Sequence, residues 1–401
     1  MISLICPARN NLKYLKWSYN SIRKNAPANV QICVADDFST DGTWDWCVDT
    51  MNADPNFKAI RNAGPTRLGH TILYDRLINE VATNDVIGIW HCDMYMTPGT
   101  IEKILGELNN ELSKIVSLTR IEPPLHPPGP EKIIKDFGTE PEYFDENIFL
   151  EWYSKLIIST KDQTSNGIFA PWFMYKFTFQ SIGGHDPLYA PQSKEDSDIF
   201  NRFKLAGCNF VQLWDAAIYH MTCRGSRFNP TITTVGSNSK EWEEQNIRST
   251  RNFIRKWGHF VRHDENLNPI IPHKYNIHAI IHNCTEYHLE LLEPWFSHVY
   301  VETDIPEMVY NYFNREQPNT KFNLEKRVSL FNKETFSTDN IDILIEFDAT
   351  KLTNESFNII QNLSDIITDS GEIGEFDLDI FKIAITNMRT YENELIICNT
   401  K

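Results

Sequence analysis

The sequence has no apolar run near the about 20 residues that a membrane-crossing helix needs, so no transmembrane segment is expected. It has no CxxC pair. Its eight cysteines (Cys6, Cys33, Cys47, Cys92, Cys208, Cys223, Cys284 and Cys398) are scattered. That scatter argues against a disulfide framework and for buried free thiols in a reducing compartment. Positive charge is in short supply: 38 Lys and Arg against 54 Asp and Glu, a net charge of −16. Such a surface repels polyanions, so neither nucleic acid nor an anionic membrane is an expected partner. An anionic ligand then needs a metal or arginines at its own site. Met1 runs directly into the strand-like ISLIC, with no leader pattern before it. The expected location is cytoplasmic, in a cell or an infected host.

Hydrophobic residues make up 41% of the 401 residues and aromatics 12%, enough for a sizeable core, and the length points to two domains. Ile2–Cys6, Val30–Ala35, Phe57–Arg61, Asp85–Trp90 and Lys114–Thr119 read as strands. Between them, Asn10–Asn25, Thr43–Met51, Leu68–Val81 and Thr100–Leu112 carry helical spacing. This alternation predicts βαβ units and a mostly parallel sheet, with ligands outside the carboxyl ends of the strands. The aromatic segment Asn166–Gly184, an amphipathic helix over Ser197–Ala206, a strand over Phe210–Trp214 and a helix near Glu241–Trp257 follow. Pro269–Pro272 reads as a linker. The βα rhythm then restarts, with strand-like runs at Ile277–His282, His298–Glu302, Val328–Phe331, Ile341–Phe347 and Glu394–Cys398.

Four constellations could carry chemistry. Asp36-Asp37 end a strand and open the turn STDGT. A carboxylate there can accept a hydrogen bond from uracil N3–H, although turns favour Asp, Ser and Gly anyway. His91-Cys92-Asp93 also end a strand. A cation held by carboxylate and imidazole neutralises a departing diphosphate; a polar strand end is the plainer reading. The acids of KEDSD, residues 194–198, either cap a helix or supply a general base, since crowded like charges raise a carboxyl pKa. His220 lies near Arg224 and Arg227, which either grip a diphosphate or lie on the surface.

Together these blocks resemble a family-2 glycosyltransferase of the GT-A fold. ISLICPARNN with VQICVADDFSTDGT is similar to that family's opening strand and nucleoside-binding turn. RLGHTILYDRLINEVATNDVIGIWHCDMY is similar to its helix and DxD strand, and SIGGHDPLYAPQSKEDSDIFNRFKLAG to its Gly-Gly-x-Asp and Glu-Asp segments. Arg202 and Gly207 stand at the family's offsets, and IRKWG near residue 257 closes the match. The resemblance covers about residues 1–260. It implies base contact by Asp36 or Asp37, with Asp37 favoured, and nucleotide contacts from Arg9 and Arg67. It implies a metal, Mn²⁺ or Mg²⁺, at Asp93 and His220, and a catalytic Asp196 beside Glu195. His91 departs from the family by replacing the first acid of DxD; it joins Arg224 and Arg227 among the candidate cofactor-binding residues.

The expected activity is inverting transfer of a sugar from a nucleoside diphosphate donor, UDP-linked by preference, to a glycan, lipid or protein hydroxyl. The alternatives are a non-catalytic nucleotide-sugar- or glycan-binding module and a nucleotidyltransferase of sugar activation. The latter wants a glycine- and lysine-rich loop after the first strand, which PARNN is not. The expected fold is an α/β GT-A domain over 1–265 and a second, smaller α/β domain over 273–401. That second domain could be another transferase or a worn methyltransferase-like fold. It contains no GxGxxG or Walker loop, so the favoured reading is a structural docking domain or one that pairs the chain into a homodimer.

Overall fold

Each residue of the first strand is buried in a computed structural model that describes residues 1–225, 227–228 and 238–398. The chain divides into two compact units: Met1–Gln245 with His263–Pro269 and Ile397–Lys401, and Asn246–Arg262 with Ile270–Ile396. The units therefore interleave, and the first division falls inside a helix.

The first unit begins β1 (Ile2–Ala8), α1 (Leu12–Asn25), β2 (Gln31–Asp37), α2 (Thr43–Ala53), β3 (Phe57–Asn62), α3 (Gly69–Arg76) and β4 (Val86–Ile89). A two-residue β5 (Met94–Tyr95), α4 (Thr100–Leu108), β6 (Lys114–Glu122), β7 (Lys132–Ile134), α5 (Glu146–Ser159) and β8 (Thr164–Ser165) follow. Then come β9 (Trp172–Tyr175), α6 (Lys176–Ser181), α7 (Glu195–Leu205), β10 (Asn209–His220) and α8 (Lys240–Trp257). The main path through the sheet runs β3-β2-β1-β4-β9-β6-β10-β5.

The sheet is mixed rather than mostly parallel. β3, β2, β1 and β4 are parallel, but β9 runs antiparallel to both β4 and β6. β9 comes from the aromatic segment; its Trp172, Phe173 and Met174 are all fully buried. A strand covered on both faces shows no alternation, so period-two patterning does not reveal it. Trp172 and Phe173 are thus core residues. Because β9 opposes both neighbours, β6 and β10 point the same way as β1, β2 and β4. The carboxyl ends of β1, β2, β4, β6 and β10, five of those that share this direction, lie along one edge of the sheet, where α/β folds bind ligands.

The second unit holds β11 (Ile277–His282), α9 (Glu286–Leu292), β12 (His298–Val301), α10 (Glu307–Glu316), β13 (Val328–Leu330) and β14 (Ile343–Asp348). It continues with α11 (Asn354–Gln361), α12 (Leu363–Ser370), β15 (Gly374–Leu378) and β16 (Phe381–Ile385), in the order β13-β12-β11-β14-β16-β15. β15 and β16 form an antiparallel hairpin at the edge. Glu394–Cys398, expected as a strand, instead begins within a 3-10 turn at Glu392–Leu395. The last turns of α8 belong to this unit because Arg255 is buried against Glu293 at 2.7 Å and Glu316 at 2.5 Å.

Arg202 is a structural tie in the first unit. It is fully buried and donates to Asp198 at 2.8 Å and to the carbonyls of Ile182 and Gly184 at 3.0 and 2.7 Å. This fixes α7 to the Gly183-Gly184 turn. Gly184 has φ +72°, and a Cβ there would lie 2.2 Å from Asp75 Oδ2. Arg202→Ala deprives a buried Asp198 of its cation and is expected to cost about 3–5 kcal/mol in urea unfolding. A loss below about 1 kcal/mol would contradict this role.

Candidate active site

The five carboxyl ends supply most of the candidate residues. β1 leads into Arg9, β2 ends in Asp36-Asp37, β4 leads into His91-Cys92-Asp93, β6 ends in Glu122 and β10 in His220.

Asp36 and Asp37 part ways. Asp36 is fully buried, 3.2 Å from Arg61 Nε, and accepts from Ser39 N–H. Asp37 lines a cleft with Arg9, Arg67, His70 and Gly225. It accepts from Asn62 Nδ2 at 2.7 Å and from the amides of Leu68 and Gly69 at 3.0 and 2.8 Å. A carboxylate has about four acceptor directions, so roughly one stays open. Arg9 Nε is buried without a hydrogen-bond partner. Arg67 lies 3.7 Å from Asp37 and donates to Gln192 at 3.0 Å. Gly69, at φ +76°, is pressed against Pro191, whose oxygen would lie 2.1 Å from a Cβ. This contact brings the cleft wall to the loop that precedes Glu195.

His91, Asp93 and His220 come together, with one ligand atom of each lying within 4.8 Å of the others. This is the one such group of His, Cys, Asp or Glu among the described residues. His91 therefore joins the candidate metal ligands rather than the nucleotide contacts. The alignment comes from a strand too short to read in sequence: β5 pairs antiparallel with β10, setting His220 against Met94. The imidazole Nε2 of His220 is 3.4 Å from Asp93 Oδ1, and its Nδ1 is 2.7 Å from Glu122 Oε1. Burial disfavours the His220 cation, but Asp93 and Glu122 outweigh it and raise its pKa to about 9. Burial likewise opposes the Asp93 charge, yet His220 holds that carboxyl below its usual range. Burial, aided by His220, pushes His91 down to about 3, so its lone pair is available at neutral pH. Two imidazoles and a carboxylate suit Mn²⁺ better than Mg²⁺, which prefers an all-oxygen shell. The donor set fits a divalent cation.

Glu195 and Asp196 open α7 after Ser193 and Lys194, both at positive φ (81° and 69°). Two consecutive non-glycine residues in this region store strain of order 1–3 kcal/mol each. Thr222 and Cys223, just after His220, repeat the device (φ 50° and 55°). Glu195 is buried, and its Oε2 has no partner. Burial first, and then the Asp196 charge, push its pKa up to about 8. Asp196 is part-exposed; burial raises its pKa, while His185 and Arg120 oppose that.

Arg224 and Arg227 do not converge on the cleft lining. Arg224 donates to the Thr139 carbonyl at 2.7 Å and pairs with Glu140 at 3.0 Å. Arg227 donates to Asn238 and lies over the Trp242 ring at 4.3 Å. Sequence reasoning missed Arg120, Glu122, His70 and His185. Glu122 had a usable signal, an ionisable residue closing the buried run Lys114–Glu122. His185 fills the variable position of Gly-Gly-x-Asp, with Nδ1 2.8 Å from Asp75 and a buried, unpartnered Nε2.

The mixed sheet, with its ligand-binding edge, has the GT-A fold. The glycosyl transferase family 2 model matches residues 3–183, all within the first unit. No curated protein matches the sequence. Solved structures with a similar fold include GalNAc-T7 with UDP, GalNAc and Mn²⁺: 13% identity, TM-score 0.45, covering 64% of this chain and 48% of that one. Another is S. aureus TarS 1-349 in complex with UDP-GlcNAc: 15% identity, TM-score 0.40, covering 62% of this chain and 64% of that one. The chain thus spans about half the length of the first and just under two thirds of the second. No described helix is long and apolar enough to cross a membrane.

Cation binding should carry a proton signature. A metal bound here would need the Nε2 lone pair of His220, whose proton Asp93 and Glu122 hold against the cost of burial, raising its pKa to about 9. Mn²⁺ affinity is expected to rise by up to about tenfold per pH unit between 6 and 8 and to flatten near 9. Calorimetric titrations across that range check it; a flat profile would exclude His220 as a ligand.

Proposed function

We propose that the chain is an inverting, metal-dependent transferase that moves a sugar from a UDP-linked donor to a hydroxyl acceptor. The observation that carries this reading is the His91, Asp93 and His220 cluster on the edge that also holds the arginine-lined cleft. His70 lines that cleft beside Asp37, Arg9 and Arg67. In the proposal Asp37 accepts from uracil N3–H, and Arg9 and Arg67 face the diphosphate, with Arg224 and Arg227 as flanking cations. A Mn²⁺ or Mg²⁺ ion held by His91, Asp93 and His220 supplies charge for the leaving diphosphate.

Asp196 is the proposed general base. The acceptor oxygen attacks the anomeric carbon, the bond from that carbon to the diphosphate oxygen breaks, and the acceptor proton passes to the Asp196 carboxylate. Glu195 is the weaker candidate, because burial and the neighbouring Asp196 charge disfavour its carboxylate form. The division into a transferase domain over about 1–265 and a structural docking or dimerisation region over 273–401 belongs to the same proposal, as do a cytoplasmic site of action and a glycan, lipid or protein acceptor.

Two experiments test this. Asp37→Ala should weaken UDP binding by about 1–3 kcal/mol, the range for a charged hydrogen bond. Wild-type protein should also prefer UDP to CDP, because cytosine N3 has no hydrogen. Equal affinity for the two by calorimetry would refute the base contact. Asp196→Asn should lower the transfer rate by about 10²–10⁴-fold with donor affinity nearly unchanged, because the lost interaction belongs to the transition state. Glu195→Gln should be milder; a larger loss in Glu195→Gln would move the base to position 195.

A further inference from the structure

We infer that Glu122 is the positioning residue of the metal site, holding His220 so that its Nε2 edge faces Asp93 and His91. This rests on the metal reading above and adds a residue to it. Glu122 is 1% exposed and closes β6. β6 and β10 are parallel neighbours, with Ile121 in register with Tyr219, so Glu122 and His220 come next on their strands. The carboxylate Oε1 lies 2.7 Å from His220 Nδ1. Its other contacts are to cations: Arg120 Nε at 3.1 Å and Lys132 Nζ at 3.0 Å. These two ion pairs compensate its charge in a buried place.

An ionised carboxylate only accepts hydrogen bonds, so it keeps a proton on Nδ1. When the ring gives up one proton to bind a metal, the one left is on Nδ1, and Nε2 presents its lone pair toward Asp93. The carboxylate also makes the imidazole a stronger donor. Partners of this kind commonly change metal affinity by about 10–100-fold when removed. Glu131 is the internal control. It lies 2.7 Å from Arg120 and 3.7 Å from Lys132 in the same cluster, whereas the carboxylate bonded to His220 is that of Glu122. Glu131→Gln therefore disturbs the ion pairs without releasing the imidazole.

The test is Mn²⁺ titration of the full chain by electron paramagnetic resonance, without donor or acceptor. Glu122→Gln should weaken Mn²⁺ binding by about 10–100-fold, whereas Glu131→Gln should stay within about twofold of wild type. Equal affinity in Glu122→Gln and wild type, or an equal loss in Glu131→Gln, overturns the inference and leaves the metal site standing. A wild-type protein that binds no Mn²⁺ overturns the metal reading itself. Should Glu122→Gln fail to fold, ¹⁵N-histidine spectra of wild type loaded with Zn²⁺ decide the matter. They should show His220 protonated at Nδ1 and coordinated through Nε2; the reverse tautomer overturns the assignment.

Discussion

The antiparallel pairing of β5 with β10 is the constraint on which the site depends. Two residues, Met94 and Tyr95, are enough to align the chain leaving β4 with the end of β10. The Asp93 carbonyl accepts from Met221 N–H at 3.0 Å, which extends the alignment by one step. Segments more than 120 residues apart in sequence thereby bring two imidazoles and a carboxylate together. Without this pairing His91 and Asp93 would be an ordinary polar strand end. With it, the open edge of the sheet becomes a place where an anion can be met by charge.

Charge is the second organising theme. The chain carries a net −16, yet its candidate site collects Arg9, Arg67, Arg120, Lys132 and three histidines. Acids are interleaved with them: Glu122 lies between His220, Arg120 and Lys132, and Asp37 beneath Arg67 and two backbone amides. Among the buried polar atoms without a hydrogen-bond partner are Arg9 Nε on this edge, Glu195 Oε2 in the acid turn and His185 Nε2. Buried polar atoms are rarely left unpaired, and such exceptions cluster where a ligand or a chemical step uses them.

Much of this was legible in the sequence because it rests on local signals. The strands β1, β2, β4 and β6 announce themselves as apolar runs between helical segments, and their ends carry the acids. What sequence reading lost was non-local. β5 is too short to show a period, and β9 is buried on both faces and shows none. Together they turn an expected parallel sheet into a mixed one. The β15 and β16 hairpin was lost for a related reason: FDLDIFKIAI alternates, but it is interrupted by a tight turn at Asp379, which adopts φ 54°. His91 was grouped with the nucleotide contacts because sequence spacing says nothing of its distance to His220, and spacing likewise does not pair Arg224 with Glu140 or Arg227 with Trp242. Arg202, carried over only by offset, proved to be a buried tie between α7 and the glycine turn.

The central claim is that His91, Asp93 and His220 jointly hold a divalent cation against a nucleotide diphosphate. Crystals of the full chain grown with Mn²⁺ and UDP test it most directly, through the anomalous signal of manganese. The account predicts one strong peak within roughly 2.2 Å of an imidazole nitrogen of His91, a carboxylate oxygen of Asp93 and Nε2 of His220, with diphosphate oxygens completing the shell. A manganese peak held by UDP alone, with His220 still bridging Asp93 and Glu122, would contradict it.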